Sequence, residues 1–131
     1  MTGWDKAAAG MRHVKLSRNP GAAVEARRFA EPLLRRRGVP ERGIENALLV
    51  ASELVSNAYR HGEGDIELRL DVLGDRLRIE VIDEGRNQAP AVREHGADET
   101  GGWGLQIVDQ VALQWGVFEG TTHVWADLAL G

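Results

Sequence analysis

The sequence predicts an α/β (α+β) two-layer sandwich: a mixed, mostly antiparallel sheet with about three helices on one face. Three observations carry that prediction. The stretch from Ile44 to Gly62 places apolar residues at three- and four-residue spacing, as a helix does. From Ile66 the period changes to two and passes through a turn at Gly74-Asp75, as a β-hairpin does. A second amphipathic helix follows Gly104, carrying Leu105, Val108, Val111 and Ala112, and two strands close the chain. At 131 residues the chain is long enough for one domain with its own core, and 43% hydrophobic against 27% charged content is the balance of a soluble globular protein.

Taken in order, residues 1–10 read as a loose tail and residues 11–131 as a single domain. Met11 to Ser17 alternates, with Met11, His13 and Lys15 against Arg12, Val14 and Leu16, which suits a short edge strand. Asn19-Pro20 offers an N-cap followed by proline at the first helical position. That helix should run to about Arg37 and stop at Gly38, with Pro32 kinking it or splitting it in two. The basic run Arg35-Arg36-Arg37 fits a solvated helix end, favoured by the dipole, better than a phosphate site. Pro40 then opens the central helix.

In that helix Ile44, Leu48, Ala51, Val55 and Ala58 form one apolar stripe, with Leu54 and Tyr59 at its margins. Glu53, Asn57, Arg60 and His61 fall on a second face, so a carboxylate and an amide sit side by side one turn apart. A polar face of this kind is most often simply solvated. It is also a pair with chemistry: the carboxylate can polarise a hydroxyl, and the amide oxygen can take one position on a magnesium ion. In the hairpin, Ile66, Leu68, Leu70 and Val72 share one parity and Leu77, Ile79 and Val81 return it. Asp83 continues the inward parity, where a carboxylate is costly without a partner. It is either a strand end turning into a loop or a group that accepts a hydrogen bond from a ligand amine. Gly85 and then an aperiodic stretch, 86–100, lead to Thr100-Gly101-Gly102-Trp103-Gly104. Glycines at a helix entrance let backbone amides approach an anion. The final strands read Trp115 to Glu119 and Thr122 to Leu128, linked at Gly120-Thr121.

Composition narrows the function classes. A formal charge of -4 gives no electrostatic case for direct nucleic-acid binding. With no cysteine, disulfides and zinc–thiolate sites are excluded. No apolar run approaches a membrane span, and Met-Thr-Gly-Trp-Asp lacks the features of a signal peptide, so the expected location is cytoplasmic.

Three signals stand in order: Glu53-x-x-x-Asn57-x-x-x-His61-Gly62, Asp83-x-Gly85, and Gly102-x-Gly104-Leu105. Together they resemble the N, G1 and G2 boxes of the GHKL ATPase superfamily, whose members share the Bergerat-type ATP-binding fold. The phrases Glu-Leu-Val-Ser-Asn-Ala-Tyr-Arg-His and Gly-Trp-Gly-Leu-Gln-Ile-Val-Asp, with Trp115-Gly116 and Val124-Trp125, are similar to the single-domain anti-sigma-factor serine/threonine kinases of actinobacteria. The resemblance covers roughly residues 11–129.

It implies ATP and Mg2+ as cofactors, held between the central helix and the last helix under a lid, 86–100. By resemblance, Glu53 is the general base or water-orienting carboxylate and Asn57 the magnesium ligand. Asp83 takes the adenine amino group, Gly85 lets the backbone pass close to the base, and Gly102, Gly104 and Leu105 belong to the phosphate cradle. Thr122 matches a threonine that supports the adenine-binding Asp in relatives. His61 and Arg60 lie near the phosphates, with a helix-capping role for His61 equally open. Two positions depart from the pattern: Asn87 stands where a second glycine is common, and Glu99-Thr100 stands where several kinases carry a basic residue. Arg93 is the nearest basic residue in the lid. The implied partners are a sigma factor and a small antagonist (anti-anti-sigma) protein, with no membrane, and the resemblance is compatible with a homodimer. The other readings are a non-catalytic nucleotide switch and the detached catalytic domain of a histidine kinase.

Overall fold

The computed structural model describes residues 11–85, 103–118 and 123–131. Within them the elements run β1 (Met11–Leu16), α1 (Ala22–Arg36), α2 (Glu41–His61), β2 (Ile66–Leu73), β3 (Arg76–Ile82), α3 (Trp103–Val111), β4 (Gln114–Val117) and β5 (Val124–Ala129). The strands form one sheet in the order β1-β2-β3-β5-β4, and each of these pairings is antiparallel. Among the described residues the sheet therefore has no parallel pair, which sharpens the expected mixed, mostly antiparallel arrangement. The hairpin turns at Gly74, whose φ of +67° is a conformation that glycine adopts without strain. Leu68, Leu70, Leu77, Ile79, Val81, Val124, Ala126 and Leu128 point to the helices and are buried. The fold is thus a two-layer sandwich.

Helix α1 buries Ala22, Ala26, Ala30 and Leu34, one row at four-residue spacing, and packs on α2. The helix starts two residues beyond Pro20, because Asn19 closes a turn instead of capping it. Its Oδ1 accepts the Gly21 N–H at 2.7 Å and its carbonyl accepts the Ala22 N–H at 3.0 Å. The helix runs unbroken through Pro32, so of the two expected outcomes, a kink or a split, the split does not occur. The proline lies on the exposed side, where the Arg28 carbonyl that it leaves unpaired can be hydrated, while the buried row holds the helix on α2. Helix α2 is the central element, bounded by α1, α3 and the sheet. Its buried face includes Ile44, Ala47, Val50, Ala51, Leu54, Val55 and Ala58. Fully burying a Leu or Ile in such a position contributes roughly 1.5–3 kcal/mol.

The other face of the sheet carries polar residues that satisfy one another. Arg78 donates from Nε and Nη2 to the two oxygens of Asp127 across the β3–β5 pair, at 2.7 and 2.9 Å, and lies over the Trp125 ring. Gln114 donates to Asp127 at 3.0 Å, and His123 bonds Glu80 at 2.9 Å. The His123 hydrogen bond holds the Glu80 carboxyl below its ordinary range, and the Arg78 hydrogen bond does the same for Asp127. Such groups stabilise the fold fully above the ordinary carboxylate range, about pH 4, and that contribution is lost as pH falls through the lower folded-state values. Asp71 works in the opposite sense: burial, reinforced by Glu80, raises its pKa, so its protonation relieves a cost on the same descent. Net stability is expected to fall in acid. Asp127→Asn should cost about 1.5–3 kcal/mol at neutral pH and flatten the acid limb in urea unfolding. An acid limb unchanged in both Asp127→Asn and Glu80→Gln would place its source elsewhere.

Candidate functional site

The end of α2 gathers the expected residues. Asn57 is buried although polar, and its Oδ1 is enclosed with no hydrogen-bond partner among the described residues. An unsatisfied buried amide oxygen costs about 1–3 kcal/mol, so folding alone gives no reason to retain it. Glu53 stands one turn earlier and is half-buried, and His61 ends the helix exposed. Partial desolvation, with the charge of Arg60, lowers the His61 imidazole pKa and favours its neutral form.

At the end of β3 the inward parity of Ile79 and Val81 carries Asp83 into a position only 9% exposed. Asp83 Oδ1 accepts the Gly85 N–H at 2.7 Å, which closes the chain into a turn directly beside the carboxylate. Its other oxygen packs on Gly62, the C-cap of α2: a Cβ there would lie 1.9 Å from Asp83 Oδ2. Gly62 has an ordinary φ of -97°, so glycine is needed here for close approach and not for backbone conformation. The next residues interlock as well. Glu84 N donates to the Glu63 carbonyl at 2.7 Å, and the Glu84 carboxylate accepts the Asp65 N–H at 3.1 Å. The segments that follow α2 and β3 thus form one unit, with Asn57 and Asp83 on its two sides.

Helix α3 packs on α2 through Leu105 and Val108, both buried in the core. Leu105 is therefore a packing residue that seats the start of α3, and Gly104 lies in the first turn. Arg93, Gly102 and Thr122, and the lid 86–100 with Asn87 and Glu99-Thr100, lie outside the described residues.

One residue at this end was not visible to sequence reasoning. Arg18, between β1 and α1, donates from Nη2 to the carbonyls of Tyr59 at 2.6 Å, Gly62 at 2.5 Å and Ala58 at 3.1 Å. Its Nη1 reaches the Gly64 carbonyl at 3.3 Å. No periodicity or spacing marks it. The only signal was an arginine directly ahead of the Asn19-Pro20 turn.

The residues present fit magnesium and an adenine nucleotide. An amide oxygen is a hard donor suited to Mg2+, which usually keeps several waters and takes few protein ligands. The described residues contain no group of three or more His, Cys, Asp or Glu that could hold a metal, and a magnesium ion on Asn57 could fill its shell with phosphate and water oxygens. A cavity of about 220 Å³, lined by Val39, Pro40, Val72 and Leu130 among others, lies at the opposite end of α2 and takes no part in this arrangement. Among the described residues no helix is long and apolar enough to cross a membrane.

Comparison with known proteins agrees with this geometry. A family model described as the histidine kinase-like ATPase domain matches residues 16–125. Among solved structures, the chain is similar to the crystal structure of the RsbU and RsbW domains of Rv1364c from Mycobacterium tuberculosis, with a TM-score of 0.67 and 23% sequence identity. The match covers 90% of this chain and 30% of that one, so the chain spans under a third of that relative, and the likeness is one of fold. The comparison with curated proteins gives no match. The family match runs from the end of β1 into β5 and takes in α2, Asp83 and α3, and on that span the chain belongs to the histidine kinase-like ATPase domain family, within the GHKL superfamily.

Proposed function

We propose that the protein is a Mg-ATP-dependent anti-sigma factor that phosphorylates a serine or threonine of a small antagonist protein. The observation that carries the nucleotide part is Asn57 Oδ1, buried and without a hydrogen-bond partner among the described residues, one turn beyond Glu53. The partner part is supported by the sequence resemblance to anti-sigma-factor kinases and by likeness to a structure that includes an RsbW domain. When bound, Mg-ATP supplies the transferable phosphoryl group and much of the charge neutralisation. The chain's own residues do the rest. Asn57 Oδ1 ligates the metal, Asp83 accepts a hydrogen bond from the adenine amino group, and Gly85 keeps the backbone close to the base. Gly102 and Gly104 offer backbone amides to phosphate, with Thr122 supporting Asp83 and His61 near the phosphates. Glu53 accepts the proton of the attacking hydroxyl. Arg93 is the candidate for charge that Glu99-Thr100 does not supply.

Calorimetry tests the nucleotide assignment. Asn57→Ala should weaken Mg-ATP binding more than metal-free ATP binding. Asp83→Asn should lose about 1.5–3 kcal/mol of ATP affinity, with circular dichroism unchanged. Wild-type affinity in both variants would overturn the reading.

A further inference from the structure

The last carbonyls of an α-helix have no intrahelical donors, and the partial negative charge there favours a cation. In α2 a guanidinium meets part of this need, at the carbonyls of Ala58 and Tyr59, and goes on to two carbonyls just beyond the helix. Arg18 is half-buried and reaches four carbonyls, those of Ala58, Tyr59, Gly62 and Gly64, with its guanidinium 5.8 Å from the centre of the Tyr59 ring. The Gly62 N–H adds the other bond to Ala58, at 2.8 Å. The backbone of Arg18 is itself held on both sides: Leu16 is buried in the core, and Asn19 closes the turn that starts α1. The guanidinium therefore projects from a fixed support onto the end of a helix 40–46 residues away in sequence.

What it grips is the part of the fold that the site depends on. Asn57 lies one helical turn before His61, so fraying of that turn would release the amide from its buried position. Gly62 is the shoulder on which Asp83 rests, and Gly64, with φ +70°, packs against Glu84. Arg18 holds Gly62 and Gly64 through their carbonyls, while Asp83 and Glu84 press on the same two residues. We propose that Arg18 is a positioning residue for the nucleotide site: it fixes the last turn of α2 and so sets both Asn57 and the Gly62 shoulder of Asp83. This inference rests on the Mg-ATP reading of the site. A lysine would replace the arginine only in part: an ammonium is a single point and gives up the second nitrogen, which reaches the Gly64 carbonyl.

The test compares wild type, Arg18→Ala, Arg18→Lys and Leu130→Ala, the last a core truncation at the opposite end of α2. Hydrogen exchange on the nucleotide-free proteins reads the amides of residues 59–62. Calorimetry reads affinity for ATP with and without magnesium, and for GTP. Arg18→Ala should exchange faster at 59–62, bind Mg-ATP about 10–100-fold more weakly, and lose preference for ATP over GTP. Arg18→Lys should fall between it and wild type, and serves alone if the alanine variant does not fold. Leu130→Ala should lower the melting temperature while keeping both selectivity and exchange at 59–62. Equal losses in Leu130→Ala would reduce Arg18 to general stability and overturn the proposal. So would wild-type magnesium dependence and selectivity in both Arg18 variants, with the nucleotide reading left intact. Absence of ATP binding by wild type would overturn that reading, and the positioning role with it.

Discussion

Glu53→Ala is expected to slow phosphoryl transfer by about 10²–10⁴-fold and to leave Mg-ATP affinity nearly unchanged. The separation follows from position. Asn57 and Asp83 are buried, whereas Glu53 is half-buried one turn back on the helix, where the proposed mechanism has it meet the incoming hydroxyl. Phosphoryl transfer depends mostly on positioning and on neutralising charge spread over the phosphate oxygens. The isolated domain should therefore hydrolyse little ATP and transfer slowly unless the partner completes the site. The measurement is a single-turnover assay with radiolabelled ATP, magnesium and candidate antagonist proteins, followed by mapping of the phosphate. Arg93→Ala should also slow transfer. If no cognate partner is labelled while partner binding still depends on nucleotide, the protein is a switch and not a kinase.

The second large effect is expected from a single methyl group. Gly62→Ala would place a Cβ 1.9 Å from Asp83 Oδ2 and 2.9 Å from the Ala58 carbonyl. Something must move, and the short Asp83 side chain is easier to displace than the helix backbone. Fold stability should fall by only about 1–3 kcal/mol, as for modest overpacking. ATP affinity should fall by about 10–100-fold, because the charge-assisted bond to the base is lost. Thermal melts and calorimetry on the same preparation separate the two quantities. A variant that is strongly destabilised yet binds ATP normally would show that Asp83 does not need its present position.

Much of this was legible in the sequence because the forces concerned are local and periodic. The central helix, the hairpin and the inward parity of Asp83 all follow from apolar spacing, and the structure places them so. The misreadings arose where tertiary packing outweighs a local rule. Pro32 is tolerated because the row Ala22, Ala26, Ala30 and Leu34 is already held against α2. Leu54, expected at the margin of the apolar stripe, is 1% exposed, since α1, α3 and the sheet all pack on α2 and leave it a buried face wider than one stripe. Arg18 was not legible, since its partners lie 40–46 residues away and are backbone carbonyls that any sequence would supply. The orphaned oxygen of Asn57 was half legible: its position on the helix could be read, but its enclosure could not.

The placement of β5 has a consequence for how freely the protein can change. This strand lies between β3 and β4 and pairs with β3 from Val81 opposite Val124 to Arg76 opposite Ala129. The chain between those two strands, which includes α3 and β4, is an excursion whose two ends the sheet has already joined. The entropy of closing such an excursion grows only logarithmically with its length, about 0.6 kcal/mol for each doubling. For the β3–β5 pairing itself the length of that excursion matters little, whereas one residue slipped in β3 or β5 would turn Val81, Val124 and their neighbours to the wrong face.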